Sequence, residues 1–169
     1  MSSSAKLGIL LDSTYILPVV GIEVEGTEKA LEVLRRLKRN KAARFYYTLF
    51  NVLEIVGKLA KLEYDPLTVT IGLSLVEEEF TITHPTINGY LKAIELKKKG
   101  FKDVIDLLLY ATALTRGLLF LTRDTILMDF LENSGEKTEN ILLEKDFIQK
   151  YSMGSGENRL NSRDKQKIA

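Results

Sequence analysis

Two apolar runs in this chain lead to an aspartate. Residues 6–11 (KLGILL) deliver Asp12, and residues 118–122 (LLFLT) are followed, after Arg123, by Asp124. A third aspartate, Asp106, breaks into the run Val104, Ile105, Leu107, Leu108, Leu109, where a carboxylate needs a compensating partner. Carboxylates kept near a core call for a cation or a base. The chain has no cysteine and a single histidine, His84, so thiolate chemistry, disulfides and zinc sites built on Cys or paired His are all excluded. Any metal must therefore sit on oxygen ligands, which favours hard cations such as Mg²⁺ or Mn²⁺. Each aspartate also has a plain structural reading. Asp12 before Ser13 and Thr14 could initiate a turn or cap the next helix, and Asp124 could cap a short helix after it. Asp103, three residues before Asp106 and on the same helical face, either shares its site or forms a surface pair with it.

The elements that would position these residues follow from periodicity. Residues 6–11 and 118–122 read as buried strands, and 141–143 as a last strand. Ser13 and Thr14 are suitable caps for a helix starting at Tyr15. In residues 27–40, Ala30, Leu31, Leu34 and Leu37 recur at helical spacing opposite charged residues. Residues 43–49 (ARFYYTL) fit strand and helix equally, 51–62 form a helix, and 66–79 a helix with Pro66 in its first turn. Residues 80–83 alternate like a short strand. Further helices span 86–99, stopped by Gly100, then 102–115, 125–132 and 144–151. Alternating strands and crossover helices predict an α/β fold: a central, mostly parallel sheet of four to five strands flanked by helices in three layers. In such sheets the crevice lies beyond the carboxyl ends of the strands, where Asp12 and Asp124 stand.

With 169 residues and 45% hydrophobic content, the chain suits one compact domain, residues 1–151, followed by a polar, flexible tail at 152–169. No apolar run is long enough to span a membrane or serve as a signal peptide, so a cytoplasmic protein without membrane contact is expected. The net charge of +1 gives no general electrostatic argument for nucleic-acid binding, which must rest on local patches.

Four segments in order, Leu11-Asp12-Ser13-Thr14, Asn51-Val52-Leu53-Glu54, Asp106-Leu107-Leu108-Leu109-Tyr110-Ala111-Thr112-Ala113 and Leu121-Thr122-Arg123-Asp124, resemble the PIN-domain family. The likeness runs over residues 7–143. It implies a PIN-like fold in which Asp12, Glu54, Asp106 and Asp124 are the catalytic acids and hold Mg²⁺ or Mn²⁺. Glu54, unremarkable on its own, owes its place to this resemblance. Thr122, with Ser13 or Thr14, matches the supporting hydroxyls, and Asp103 is a supporting neighbour. The implied activity is metal-dependent endoribonucleolytic cleavage of RNA, by the toxin of a toxin–antitoxin pair or by an RNA-processing nuclease. Implied partners are RNA, an antitoxin protein and a second copy in a homodimer.

Phosphate contacts are expected from Arg123 beside Asp124, and from the basic run containing Arg35, Arg36 and Arg39, which reads equally as a solvated helix face. The apolar content of residues 66–79 suits either a dimer interface or a buried helix. A P-loop is excluded because Gly21 and Gly26 are followed by Thr27-Glu28. A dehalogenase-type phosphotransferase is excluded because Thr14 stands where a second aspartate is needed. The remaining rival is a PIN-like binding module that keeps its acids without turnover, within an RNA-processing or antitoxin-bound assembly.

Overall fold

The computed structural model describes residues 5–152. Five parallel strands form one sheet in the order β3-β2-β1-β4-β5: β1 (Leu7–Leu11), β2 (Ala43–Tyr47), β3 (Thr81–Ile82), β4 (Leu119–Thr122) and β5 (Ile141–Leu143). The three-layer α/β expectation holds, and the sheet is wholly parallel. Of the tail expected at 152–169, Ser152 ends the last helix and the rest lies outside the described residues. Seven helices surround the sheet: α1 (Glu28–Arg39), α2 (Leu49–Leu59), α3 (Pro66–Glu79), α4 (Ile87–Lys98), α5 (Val104–Arg116), α6 (Thr125–Asn133) and α7 (Glu144–Ser152). Among the described residues no helix is long and apolar enough to cross a membrane.

Strand alternation divides the core in two. Ile9 and Leu11 of β1 join Phe45 and Tyr47 of β2 on one face, beneath α1, α2 and α7. Leu10 points to the other face with Phe120, beneath α4, α5 and α6. This settles residues 43–47, for which pattern alone allowed two readings: Ala43, Phe45 and Tyr47 are buried on one face, while Arg44 is exposed and Tyr46 half-buried between them, the period of a strand.

The chain winds outward from β1 to β2 and β3, then crosses back to add β4 and β5 on the other side. The reversal leaves a crevice between β1 and β4 at their carboxyl ends, the place where open α/β sheets bind ligands. Leu11 pairs with Leu121 at this edge, so Asp12 and the β4 terminus emerge side by side.

One local expectation is corrected. The segment after β1 forms two 3-10 turns, Ser13–Tyr15 and Leu17–Val20, instead of a helix from Tyr15, and Asp12 caps the first where Ser13 or Thr14 was expected. Pro18 lacks a donor for a continuing helix, and Gly21, at φ 88°, ends the second turn in the left-handed region.

Helix α3 lies against this second turn at Gly72, where an added Cβ would stand 2.3 Å from the Val19 carbonyl oxygen and 2.7 Å from Val20 Cα. Helix propensity alone makes Gly72→Ala stabilising by about 1 kcal/mol. Backbone overlap outweighs that, and a net loss of about 1–3 kcal/mol is expected, measurable as a lower midpoint in urea unfolding. The outer side of α3 leaves Leu67, Ile71 and Leu75 exposed, so the helix is not a buried one.

Candidate metal centre

Thr122, fully buried at the end of β4, joins the two strand-end aspartates. Its hydroxyl donates to Asp12 Oδ2 at 2.8 Å and accepts the Asp124 backbone N–H at 3.1 Å. The Thr14 N–H donates to Asp12 Oδ1 at 3.2 Å. Asp124 caps α6, accepting from Ile126 and Leu127 N–H at 2.9 and 3.0 Å, both on Oδ1. The capping reading of these aspartates holds for both: Asp12 starts the first 3-10 turn and Asp124 starts α6, each at the carboxyl end of its strand.

Asp106 lies in the first turn of α5, whose N-cap is Asp103, accepting from Ile105 and Asp106 N–H at 2.9 and 3.4 Å. Glu54 lies on α2 and pairs with Lys58 one turn later, at 3.1 Å. The clearest sign that these groups converge is electrostatic. Burial, and then repulsion from Asp103, Asp12, Asp124 and Glu54, push the Asp106 carboxyl up to about 8. Asp12 is also raised, chiefly by burial and secondarily by Glu54, against the opposing bonds from Thr122 and Thr14 and the charge of Lys58. Among the described residues the Asp106 carboxyl makes neither a hydrogen bond nor an ion pair. No three acids among those residues close into a ready ligand shell. Acids that share a crevice, repel one another and offer only oxygen donors fit a hard divalent cation, whose charge would relieve that repulsion.

Sequence reasoning missed Asn51. This side chain is fully buried and donates to the Leu11 carbonyl at 3.1 Å and to Ser13 Oγ at 3.0 Å, while its oxygen accepts from Thr48 N–H and hydroxyl at 2.8 and 2.9 Å. It ties the start of α2, and with it Glu54, to the end of β1 beside Asp12. The legible signal was the spacing Thr48-x-x-Asn51, a capping box. Ser13 accordingly serves α2 from within the core, and of Thr14 the backbone N–H is what reaches Asp12. Asn51→Ala leaves the Leu11 carbonyl and the Thr48 donors unpaired in the core, so a loss of about 3 kcal/mol is expected, measured by chemical denaturation.

Two of the expected phosphate-contact arginines have protein partners. Arg123 donates to the Glu25 carbonyl at 2.9 Å and lies 3.9 Å from Glu144, which also accepts the Tyr15 hydroxyl at 2.7 Å. It clamps the turn before α1 onto the start of α7. Arg36 bonds the Tyr151 carbonyl. Arg36 and Arg39 occupy the last turn of α1, and Arg35 precedes them. That end leads into Ala42, whose carbonyl accepts the Leu7 N–H at the amino end of β1. The last turn of α1, with Arg36 and Arg39, therefore lies at the opposite end of the strands from Asp12 and Asp124.

The family model for the PIN domain matches residues 9–130. The chain belongs to the PIN-domain family. The matched span holds Asp12, Glu54, Asp106 and Asp124 together with Asn51 and Thr122. No curated protein matches the chain. Solved structures share the PIN fold at low identity. VapBC2 from Rickettsia felis, bound to a DNA fragment from its promoter, aligns with a TM-score of 0.58 and 13% identity over 81% of this chain and 97% of that one. PAE2754 from Pyrobaculum aerophilum aligns with a TM-score of 0.55 and 14% identity, over 86% and 90% of the two chains. FitAcB from Neisseria gonorrhoeae gives 0.53 and 17%, over 81% and 98%.

Proposed function

We propose that this PIN domain is a Mg²⁺- or Mn²⁺-dependent endoribonuclease and the toxin member of a toxin–antitoxin pair. The observation that carries the reading is the environment of Asp106: burial, and then the charges of four other carboxylates, lift it to about 8, and a cation would relieve that repulsion. PIN domains are in general nucleases, and structures of toxin–antitoxin complexes, including one from Klebsiella pneumoniae, share the fold.

Asp12, Asp106 and Asp124 would hold the ion or ions, with Glu54 as a further ligand or as the group that orients the attacking water. A bound divalent ion would lower the pKa of that water and neutralise charge growing on the phosphate. Thr122 fixes the Asp12 carboxylate by donating to one of its oxygens. Asn51 sets the distance between Glu54 and Asp12 by pinning α2 to the strand end. Asp103 anchors the first turn of α5 and so the direction of Asp106.

An antitoxin would find apolar surface close by. Leu49, Leu53 and Val56 on α2 are exposed along the helix that carries Glu54, and Ile87, Leu91 and Ile94 form a second exposed stripe on α4 that a second copy could cover in a homodimer.

The test is cleavage of a panel of RNAs by the purified chain with Mn²⁺, with Mg²⁺ or with EDTA, beside the Asp12→Asn variant. Cleavage that requires metal and Asp12 supports the proposal. Cleavage that survives EDTA or the substitution refutes the metal site, and RNA binding without any cleavage favours the silent binding module.

A further inference from the structure

With Arg123 engaged to Glu25 and Arg36 to Tyr151, and with Lys38 paired to Glu79, the acidic crevice needs another source of positive charge to receive a polyanion. Lys58 stands at the right place. It is one turn beyond Glu54 on α2, its Nζ lies 3.1 Å from Glu54 Oε1, and nearly half of its side chain is exposed. Among the described residues it is the base that pairs with one of the five acids at the crevice. Its charge also reaches Asp12 across the floor of the site.

We infer that Lys58 is a substrate-binding residue whose ammonium grips a non-bridging oxygen of the RNA phosphate at the α2 wall of the crevice. The inference rests on the nuclease reading and adds to it the residue that recognises the backbone. In the metal-free protein Lys58 is the counter-ion of Glu54. An exposed pair at this helical spacing is worth little, so it yields readily to a better partner. Once a divalent ion neutralises the carboxylates, the lysine has no strong anion left on the protein and faces the crevice. A phosphate placed there gains a point-charge donor on a flexible stem, the way lysine usually meets phosphate. The same logic gives two effects of opposite sign. Removing Lys58 takes away a phosphate contact, and it also removes a cation that competes with the metal for Glu54.

The experiment uses the full chain and a short fluorescein-labelled single-stranded RNA, with Ca²⁺ in place of the catalytic ion so that binding is read without turnover. Lys58→Met keeps helix propensity and the apolar stem, Lys58→Arg keeps the charge, and Arg39→Gln, at the far end of the strands, is the control. For Lys58→Met, RNA affinity should fall several-fold, and the slope of log affinity against log salt should flatten by about 0.7, one phosphate contact on a single strand. Mn²⁺ affinity, measured by calorimetry without RNA, should hold or rise. Lys58→Arg should restore the slope, and Arg39→Gln should leave both quantities unchanged. Wild-type affinity and slope in Lys58→Met, or a parallel loss of Mn²⁺ affinity, would mean that Lys58 is only a helix-surface ion pair. Wild-type protein that binds no RNA under any of these conditions removes the nuclease reading and this inference together.

Discussion

Asp12→Asn should lower metal-dependent RNA cleavage by at least about 100-fold while leaving the protein folded, because it removes charge from a preorganised site without changing shape. The local hydrogen bonds survive. The amide oxygen can still accept the Thr14 N–H that now reaches Oδ1 at 3.2 Å, and the amide nitrogen can donate to the Thr122 hydroxyl that now donates to Oδ2 at 2.8 Å. Thr122 continues to accept the Asp124 N–H. Burial already raises the Asp12 carboxyl, so an uncharged amide relieves a cost of desolvation. The expected result is a dead enzyme with an unfolding temperature, in EDTA, equal to or above that of the wild type. A variant that loses both activity and fold would show that Asp12 is chiefly the cap of the first 3-10 turn.

Asp106→Asn should stabilise the metal-free protein, and the gain should grow with pH. The Asp106 carboxyl sits at about 8 in the folded chain against an ordinary 3.8. Below about pH 4 it is protonated in both states and contributes no difference. Between about 4 and 8 the unfolded chain releases the proton while the folded chain retains it, so each step up in pH favours unfolding, and above about 8 the full penalty stands. Such a shift at about 1.4 kcal/mol per unit exceeds 5 kcal/mol for a dry site, and the partial hydration of this carboxyl reduces the expected gain for Asn to about 2 kcal/mol near pH 8. With Mn²⁺ at about a hundredfold above its Kd the order reverses, since binding stabilises the wild type by about 2.7 kcal/mol and the variant far less. Melting curves from pH 5 to 9, in EDTA and in Mn²⁺, read both effects (on the order of a few degrees per kcal/mol). A flat difference across pH would separate Asp106 from the other acids.

The parts of this molecule legible in its sequence are those that depend on local pattern. Asp12 and Asp124 follow short apolar strands whose ends adjoin, and Asp106, which intrudes on an apolar helix, feels the charge of both. The strand at residues 43–47 needed tertiary context, because Arg44 and Tyr46 alternate with Ala43, Phe45 and Tyr47 in a run whose types suit either element. The placement of the basic run was illegible for a related reason. Its density along α1 is visible in sequence, whereas the end of the strands at which α1 stops depends on the crossover into β2. Asn51 and Lys58 escaped notice because their roles lie in long-range partners: a buried amide reaching the Leu11 carbonyl 40 positions away, and an ammonium whose meaning comes from the acids of other elements.

Two of the acids at the crevice, Asp103 and Asp124, also start helices α5 and α6, and this dual employment bears on how such a protein would decay. Replacing a capping aspartate by alanine costs about 1 kcal/mol whether or not the enzyme is needed. Asp106 imposes the opposite: it caps nothing, and its carboxylate, buried and repelled by its neighbours, costs the fold stability, whereas Asp12 combines a raised carboxyl with the cap of the first 3-10 turn. Drift in the absence of a bound ion would therefore remove Asp106 first and retain the capping aspartates Asp103 and Asp124 longest.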